Sequence, residues 1–135
     1  MTRFEVVRDP LWNNIRLEPE ALAVVDTPAV QRLRYVRQLG HAFLVYPGAT
    51  HTRFEHALGA YHLARRVLAQ LDELEGRRPD PAEGLAVRIA ALLHDIGHYP
   101  FSHALEEAGL PHHEDLAARH LTTGPLAATL ERIGV

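Results

Sequence analysis

The chain has 135 residues, enough for one hydrophobic core and one compact domain over 1–135. Hydrophobic residues make up 47% and charged residues 23%, no apolar run approaches the roughly 20 residues that cross a bilayer, and Met1-Thr2-Arg3-Phe4-Glu5 does not resemble a signal peptide. The formal charge of -3 argues against broad attraction to nucleic acid, and the absence of cysteine excludes disulfides and thiolate metal sites, so a reducing cytoplasm is the expected compartment and any metal must be held by nitrogen and oxygen.

Phe4-Glu5-Val6-Val7-Arg8 and Asn14-Ile15-Arg16-Leu17, around turn signals at Asp9-Pro10 and Asn13-Asn14, predict a small β-hairpin. Residues 19–25 predict a short helix stopped at Asp26-Thr27-Pro28. Asp26 or Thr27 is then expected to cap a helix with Pro28 in its first turn, running to about residue 39, where Gly40 ends it. Residues 41–49, with Pro47-Gly48, read as a loop. From about Thr52 a long helix is predicted to about Glu75, with Phe54, Ala57, Leu58, Tyr61, Ala64, Val67, Leu68, Leu71 and Leu74 on one apolar face. Gly76 stops it, and Arg77-Arg78-Pro79-Asp80-Pro81 reads as a loop. Pro81 starts the next helix, which over 85–93 is apolar on nearly all sides except at Arg88 and is therefore predicted to be central. Short helices over 101–108, 112–122 and 125–133 complete an all-α helical bundle with a small N-terminal β-hairpin.

Histidine is the anomaly of the composition: of ten, eight lie between His51 and His113. The segment from Leu92 to His103 holds His94, Asp95, His98 and His103 directly after the apolar run 89–93, and Thr50-His51-Thr52-Arg53-Phe54-Glu55-His56 brings histidine from a second helix. Imidazole and carboxylate suit borderline divalent ions such as zinc, iron(II), manganese or nickel, and a small ligand set leaves positions for water, which favours hydrolysis. His94 and Asp95 lie about 100° apart around a helix and can share an ion, with His56 as a third contact from across the core. A lone histidine in an apolar helix is more often a hydrogen-bonded core residue. The adjacent Asp95 shifts the balance, since burying it unpaired costs several kcal/mol. Gly97 and Pro100 read as the end of the central helix. Arg32, Arg34 and Arg37 are either a local patch for phosphates or a solvated helix face.

His56 with His94-Asp95 resembles the HD superfamily of metal-dependent phosphohydrolases. Longer strings are similar to its deoxynucleoside triphosphate (dNTP) triphosphohydrolase branch: Asp26-Thr27-Pro28, Gln31-Arg32-Leu33-Arg34, Gln38-Leu39-Gly40, Pro47-Gly48-Ala49-Thr50-His51, Arg53-Phe54-Glu55-His56, Leu93-His94-Asp95-Ile96-Gly97-His98 and Pro100-Phe101-Ser102-His103. The resemblance runs from about Asp9 to about Leu121. It implies an HD-domain bundle holding a divalent ion (manganese, iron, zinc, nickel or magnesium) on His56, His94 and Asp95. It further implies that Arg53 contacts substrate phosphate, the alternative being a surface charge at a helix start. Gln38 would lie near the sugar hydroxyl that separates deoxyribose from ribose, or be an ordinary polar residue at a helix end. His98 and His103 would face the triphosphate, and His113 would be the acid, oriented by Glu106; otherwise His113 is a surface histidine at a helix start. The implied reaction is attack of water on the α-phosphorus, releasing deoxynucleoside and intact triphosphate.

Asp26, Gln31 and Arg34 match positions that form a regulatory nucleotide site in vertebrate members of the branch, where homo-oligomers assemble; capping and surface pairing are the simpler role. Glu5 and Arg8 stand where that scheme has lysine and asparagine, which weakens it. The branch's last metal ligand is an aspartate far downstream of His113. Asp115 is the only later Asp here and suits helix capping, so the chain is expected to be the N-terminal part of a longer enzyme. The competing expectations are an HD phosphohydrolase for another nucleotide, or a catalytically silent HD module that binds nucleotide or a partner.

Overall fold

The computed structural model describes residues 4–76 and 79–135. Met1, Thr2 and Arg3 and the predicted loop residues Arg77 and Arg78 lie outside them. The chain opens with a two-stranded antiparallel hairpin, β1 (Glu5–Asp9) and β2 (Asn13–Leu17), in register from Glu5↔Leu17 to Asp9↔Asn13. Its turn is closed by the Asp9 carboxylate, which accepts the backbone N–H groups of Leu11 and Trp12 at 2.8 and 2.9 Å. Asn13 takes a left-handed φ of 62°, a conformation that asparagine tolerates. Ile15 and Leu17 point from β2 into the core.

Helix α1 (Pro19–Val25) has the predicted bounds and buries Ala21, Val24 and Val25. The next helix does not. α2 covers only Pro28–Gln31, a 3-10 turn follows over Arg32–Tyr35, and Val36 is extended (φ -111°, ψ 110°) instead of continuing toward residue 39. A distant segment claims this backbone: the Val36 carbonyl accepts from Arg53 N at 2.8 Å, Arg37 bridges Thr52, and Gln38 N donates to His51 O at 3.1 Å. The expected side-chain cap is also absent, because the Thr27 hydroxyl donates backward to the Val24 carbonyl at 2.7 Å.

The two long helices, α3 (Arg53–Glu75) and α4 (Pro81–Leu93), form the frame of the site. α3 starts with a capping box: the Thr52 hydroxyl accepts from Glu55 N, and the Glu55 carboxylate accepts from Thr52 N at 2.6 Å. Such a start contributes about 1 kcal/mol and sets the register in which Arg53 and His56 face the core end of α4. Gly76 ends α3 in the left-handed region, and the Asp80 carboxylate caps α4 through Ala82 N at 2.7 Å.

Phe54, Ala57, Leu58 and Tyr61 of α3 meet Ile89, Leu92 and Leu93 of α4 in a core that also takes Leu33, Ile96 and Leu126. Full burial of each large aliphatic side chain contributes about 1.5–3 kcal/mol. The Tyr61 hydroxyl donates to Glu18, which also accepts from Arg65 Nε at 2.7 Å and ties the hairpin's exit to α3.

Two sequence expectations fail on burial. The apolar face of α3 leaves the core after Tyr61, with Val67 and Leu74 exposed. α4 buries one side rather than all, leaving Val87 exposed. The chain closes with α5 (Ala104–Glu107), α6 (His113–Thr122) and α7 (Gly124–Ile133), the last packed on α1. α5 is half the predicted length because Phe101 and Ser102 both take left-handed φ values, 70° and 57°. Asp115 sits in the first turn of α6 without capping it. Among the described residues no helix is long and apolar enough to cross a membrane.

Candidate metal centre and the histidine cluster beside it

His56 lies in the first turns of α3, His94 is the residue that ends α4, and Asp95 follows in the turn. The antiparallel run of the two helices brings these ends together. His56 Nε2 and His94 Nε2 are 3.1 Å apart, His94 Nε2 is 3.4 Å from Asp95 Oδ1, and His56 Nε2 is 3.7 Å from Asp95 Oδ2. Ligand bonds of about 2.0–2.1 Å at ordinary coordination angles put neighbouring donor atoms roughly 3.0–3.4 Å apart. Two of the separations fall in that range and the third lies slightly beyond it, so the three groups are close enough to share an ion. The tautomer fits as well: His94 Nδ1 donates to the Ala91 carbonyl at 2.8 Å, which leaves the Nε2 lone pair facing His56. Both histidines are partly open to solvent, so the alternative of a buried core histidine fails for His94.

For Arg53 the alternative reading fails. The residue is 2% exposed, which excludes a surface charge, and it donates from Nη1 to Asp95 Oδ2 at 2.6 Å and from Nη2 to Ser102 Oγ at 3.3 Å. A cation in the first turn of a helix opposes the helix dipole, so the Asp95 partner is what holds it there. Burial alone would raise the Asp95 carboxyl, but His94, Arg53 and His98 outweigh it and hold the group below the ordinary carboxylate range. Burial also lowers His56 and, aided by the Arg53 charge, brings His98 down to about 4, so His98 is a neutral imidazole at physiological pH.

The second cluster surrounds Glu106. His113 donates to Glu106 Oε1 from Nδ1 at 2.6 Å and from its backbone N–H at 3.1 Å; His103 Nδ1 and His112 Nδ1 lie 3.3 and 3.4 Å from Oε2. Burial pushes the Glu106 carboxyl upward, but the bonds from His113 and His103 prevail and take it down to about 2. His113 is thus an oriented, largely covered side chain and not a surface histidine. His98 joins the clusters, stacking on His113 with ring centroids 3.8 Å apart and placing Nε2 3.4 Å from Asp95 Oδ1. The donor atoms of His98, His103, Glu106 and His113 lie within 4.8 Å of one another, so this set too could hold an ion.

Gly97 makes the juxtaposition possible: a Cβ there would come 1.9 Å from the His113 carbonyl oxygen and 2.6 Å from Ala117 N. It allows the turn to approach α6, a role distinct from the helix stop that the sequence suggested, since α4 already ends at Leu93.

Gln38 lies in the turn just after the Arg37 bridge, and its Oε1 is buried with no hydrogen-bond partner. The candidate regulatory residues come together only in part. Gln31 donates to the Val25 carbonyl at 2.8 Å and accepts from Arg34 Nε at 2.7 Å, Arg34 lies over the Phe54 ring at 3.8 Å, and Asp26 stands exposed at the end of α1. The supposed basic patch is dispersed: Arg34 covers Phe54, Arg37 covers Phe43 at 3.8 Å, and Arg32 turns inward. Arg32 and Ser102 are site neighbours that sequence reasoning missed, because neither adjoins a ligand along the chain.

A family model described as HD domain matches residues 53–128, from the first residue of α3 into α7 and across both clusters. The chain belongs to the HD-domain family. The bovine deoxynucleoside triphosphate triphosphohydrolase SAMHD1 is 43% identical to this HD domain over 108 residues, covering 79% of the chain and 18% of the bovine protein. Among solved structures, a phosphohydrolase from Bacteroides thetaiotaomicron matches with a TM-score of 0.83 and 36% identity, over 96% of this chain and 34% of that one. A hypothetical protein from Aquifex aeolicus matches at 0.82 and 39% identity, with the same two coverages. The HD domain described here thus spans less than a fifth of the bovine relative and about a third of each solved chain.

Proposed function

We propose that this HD domain carries the metal ligands and acid–base residues of a cytoplasmic phosphohydrolase that splits a dNTP into deoxynucleoside and triphosphate. The observation that carries the reading is the convergence of His56 Nε2, His94 Nε2 and the Asp95 carboxylate beside a second, histidine-rich cluster. A divalent ion on these three ligands, whether manganese, iron, zinc, nickel or magnesium, would supply Lewis acidity toward water and a phosphoryl oxygen. Arg53 holds one oxygen of Asp95 in place and adds positive charge at the phosphate side. His98, a neutral imidazole, and His103 face the triphosphate as hydrogen-bond partners. Water attacks the α-phosphorus and gives up a proton to solvent, the bond to the 5′ oxygen breaks, and His113 delivers a proton to that oxygen from Nε2 while Glu106 keeps its Nδ1–H engaged. Gln38 Oε1, a buried acceptor lacking a donor, would be satisfied by a sugar hydroxyl, and an unpaired buried acceptor of this kind gives strong discrimination.

The proposal does not extend to a regulatory nucleotide at Asp26, Gln31 and Arg34, since Gln31 and Arg34 already satisfy each other. Homo-oligomer formation is inferred from the family likeness and is read by sedimentation.

The test is a panel of dNTPs, ribonucleotides, nucleoside monophosphates and cyclic nucleotides, each incubated with the purified chain and manganese. Triphosphate released from dNTPs supports the proposal. Turnover only of monophosphates or cyclic nucleotides would replace it with another HD phosphohydrolase activity. No bound metal and no turnover would leave a silent HD module.

A further inference from the structure

We propose that Arg32 is a positioning residue for the metal centre, its guanidinium clamping the carbonyl oxygens of Ile96 and His98 and so fixing the turn that carries Asp95. The proposal rests on the reading of His94 and Asp95 as metal ligands. Arg32 opens the 3-10 turn after α2, 64 residues from its first acceptor, and donates from Nη2 to Ile96 O at 2.7 Å and from Nη1 to His98 O at 2.9 Å.

These two carbonyls lie just past the end of α4, where the backbone has run out of intrahelical donors. Water cannot easily replace the arginine, because Ile96 is 0% and His98 2% exposed, and Gly97 between them lies against α6. Among the described residues no carboxylate pairs with Arg32, so the carbonyl dipoles at the negative end of α4 are what its charge faces.

The clamp grips the main chain on both sides of Gly97. That fixes the separation of Asp95 from His98, and it fixes the height at which His98 meets His113. Both ligand geometry and the stacked pair therefore depend on one planar fork. Lysine, whose three N–H donors radiate from one nitrogen on a flexible stem, cannot reproduce the rigid grip of two separate guanidinium nitrogens.

The experiment compares Arg32→Lys and Arg32→Gln with Val30→Ala, a buried position of the neighbouring α2 that serves as a control for general destabilisation. Manganese affinity is measured by calorimetry, and amide hydrogen exchange is followed at Ile96 and His98. Loss of a hydrogen-bonded partner of a metal ligand commonly weakens the metal about 10–100-fold; Arg32 acts one step further out, through the turn beside Asp95, and a loss at the lower end, about tenfold, is expected in Arg32→Lys. Exchange at Ile96 and His98 should rise there without a matching rise in α7. Val30→Ala should keep the affinity even where its unfolding midpoint falls as far.

Unchanged affinity and exchange in Arg32→Lys, or equal losses in Arg32→Lys and Val30→Ala, would overturn the proposal. Should the parent chain bind no manganese, the metal reading fails, while the exchange comparison still decides whether the clamp holds the turn.

Discussion

Arg53 and Asp95 form a buried ion pair, Nη1 to Oδ2 at 2.6 Å, with the two residues 2% and 8% exposed. Removing one partner of such a pair leaves the other charge buried without compensation, which typically costs about 3–5 kcal/mol. Arg53→Ala is expected to lose stability on that scale in urea unfolding. Arg53→Ala combined with Asp95→Asn should lose less than the two single changes added together. Additive losses would mean that the pair contributes nothing beyond its separate members.

Gly97→Ala should be far more damaging than a typical surface change. Its Cβ would meet backbone atoms, the His113 carbonyl oxygen at 1.9 Å and Ala117 N at 2.6 Å, and backbone cannot rotate away. A destabilisation of about 3 kcal/mol or more is expected from overpacking of this kind, together with displacement of His113 from the His98 ring. Gly48→Ala, where nothing lies within 4 Å, is the neutral comparison. Thermal unfolding of the two variants, with histidine ring resonances of Gly97→Ala by NMR, checks both parts.

Glu106 imposes a pH dependence whose sign follows from its lowered pKa. Its folded value, about 2, lies below the ordinary carboxylate range, so the unfolded chain binds the proton first. The stabilisation from Glu106 is therefore present above about pH 4.5 and is lost as pH falls from there toward 2. The groups facing the carboxylate are His103, His112 and His113. The stability difference between the parent and Glu106→Gln should shrink across this window in parallel denaturant titrations. A constant difference from pH 6 to pH 2.5 would contradict the assignment.

Much of the frame was legible in sequence because its signals are local. Thr52 and Glu55 form the capping box, Pro19 and Asp26 bracket α1, and Gly76 stops α3. Some failures are local, the Thr27 cap and the shortened α5 among them, but the ones that shape the site are long-range. Nothing near residue 36 reveals that Val36 will bond Arg53, and nothing near Arg53 reveals that it will be buried against a residue 42 positions away. An apolar run such as 85–93 likewise cannot disclose that Val87 faces solvent. Of the residues named from sequence, His56, His94 and Asp95 come together, because the His-Asp segment and the start of α3 sit at adjacent ends of paired helices. Their supports, Arg32, Ser102 and the close approach at Gly97, were invisible until the chain was folded.

Among the described residues two clusters could hold an ion, and the proposed metal centre is only one of them. Manganese binding followed by electron paramagnetic resonance on the parent, His94→Ala and His103→Ala separates them. A metal centre on His56, His94 and Asp95 predicts one tightly held ion in the parent, its loss in His94→Ala and its retention in His103→Ala. Retention in His94→Ala with loss in His103→Ala would contradict it and move the metal centre to Glu106.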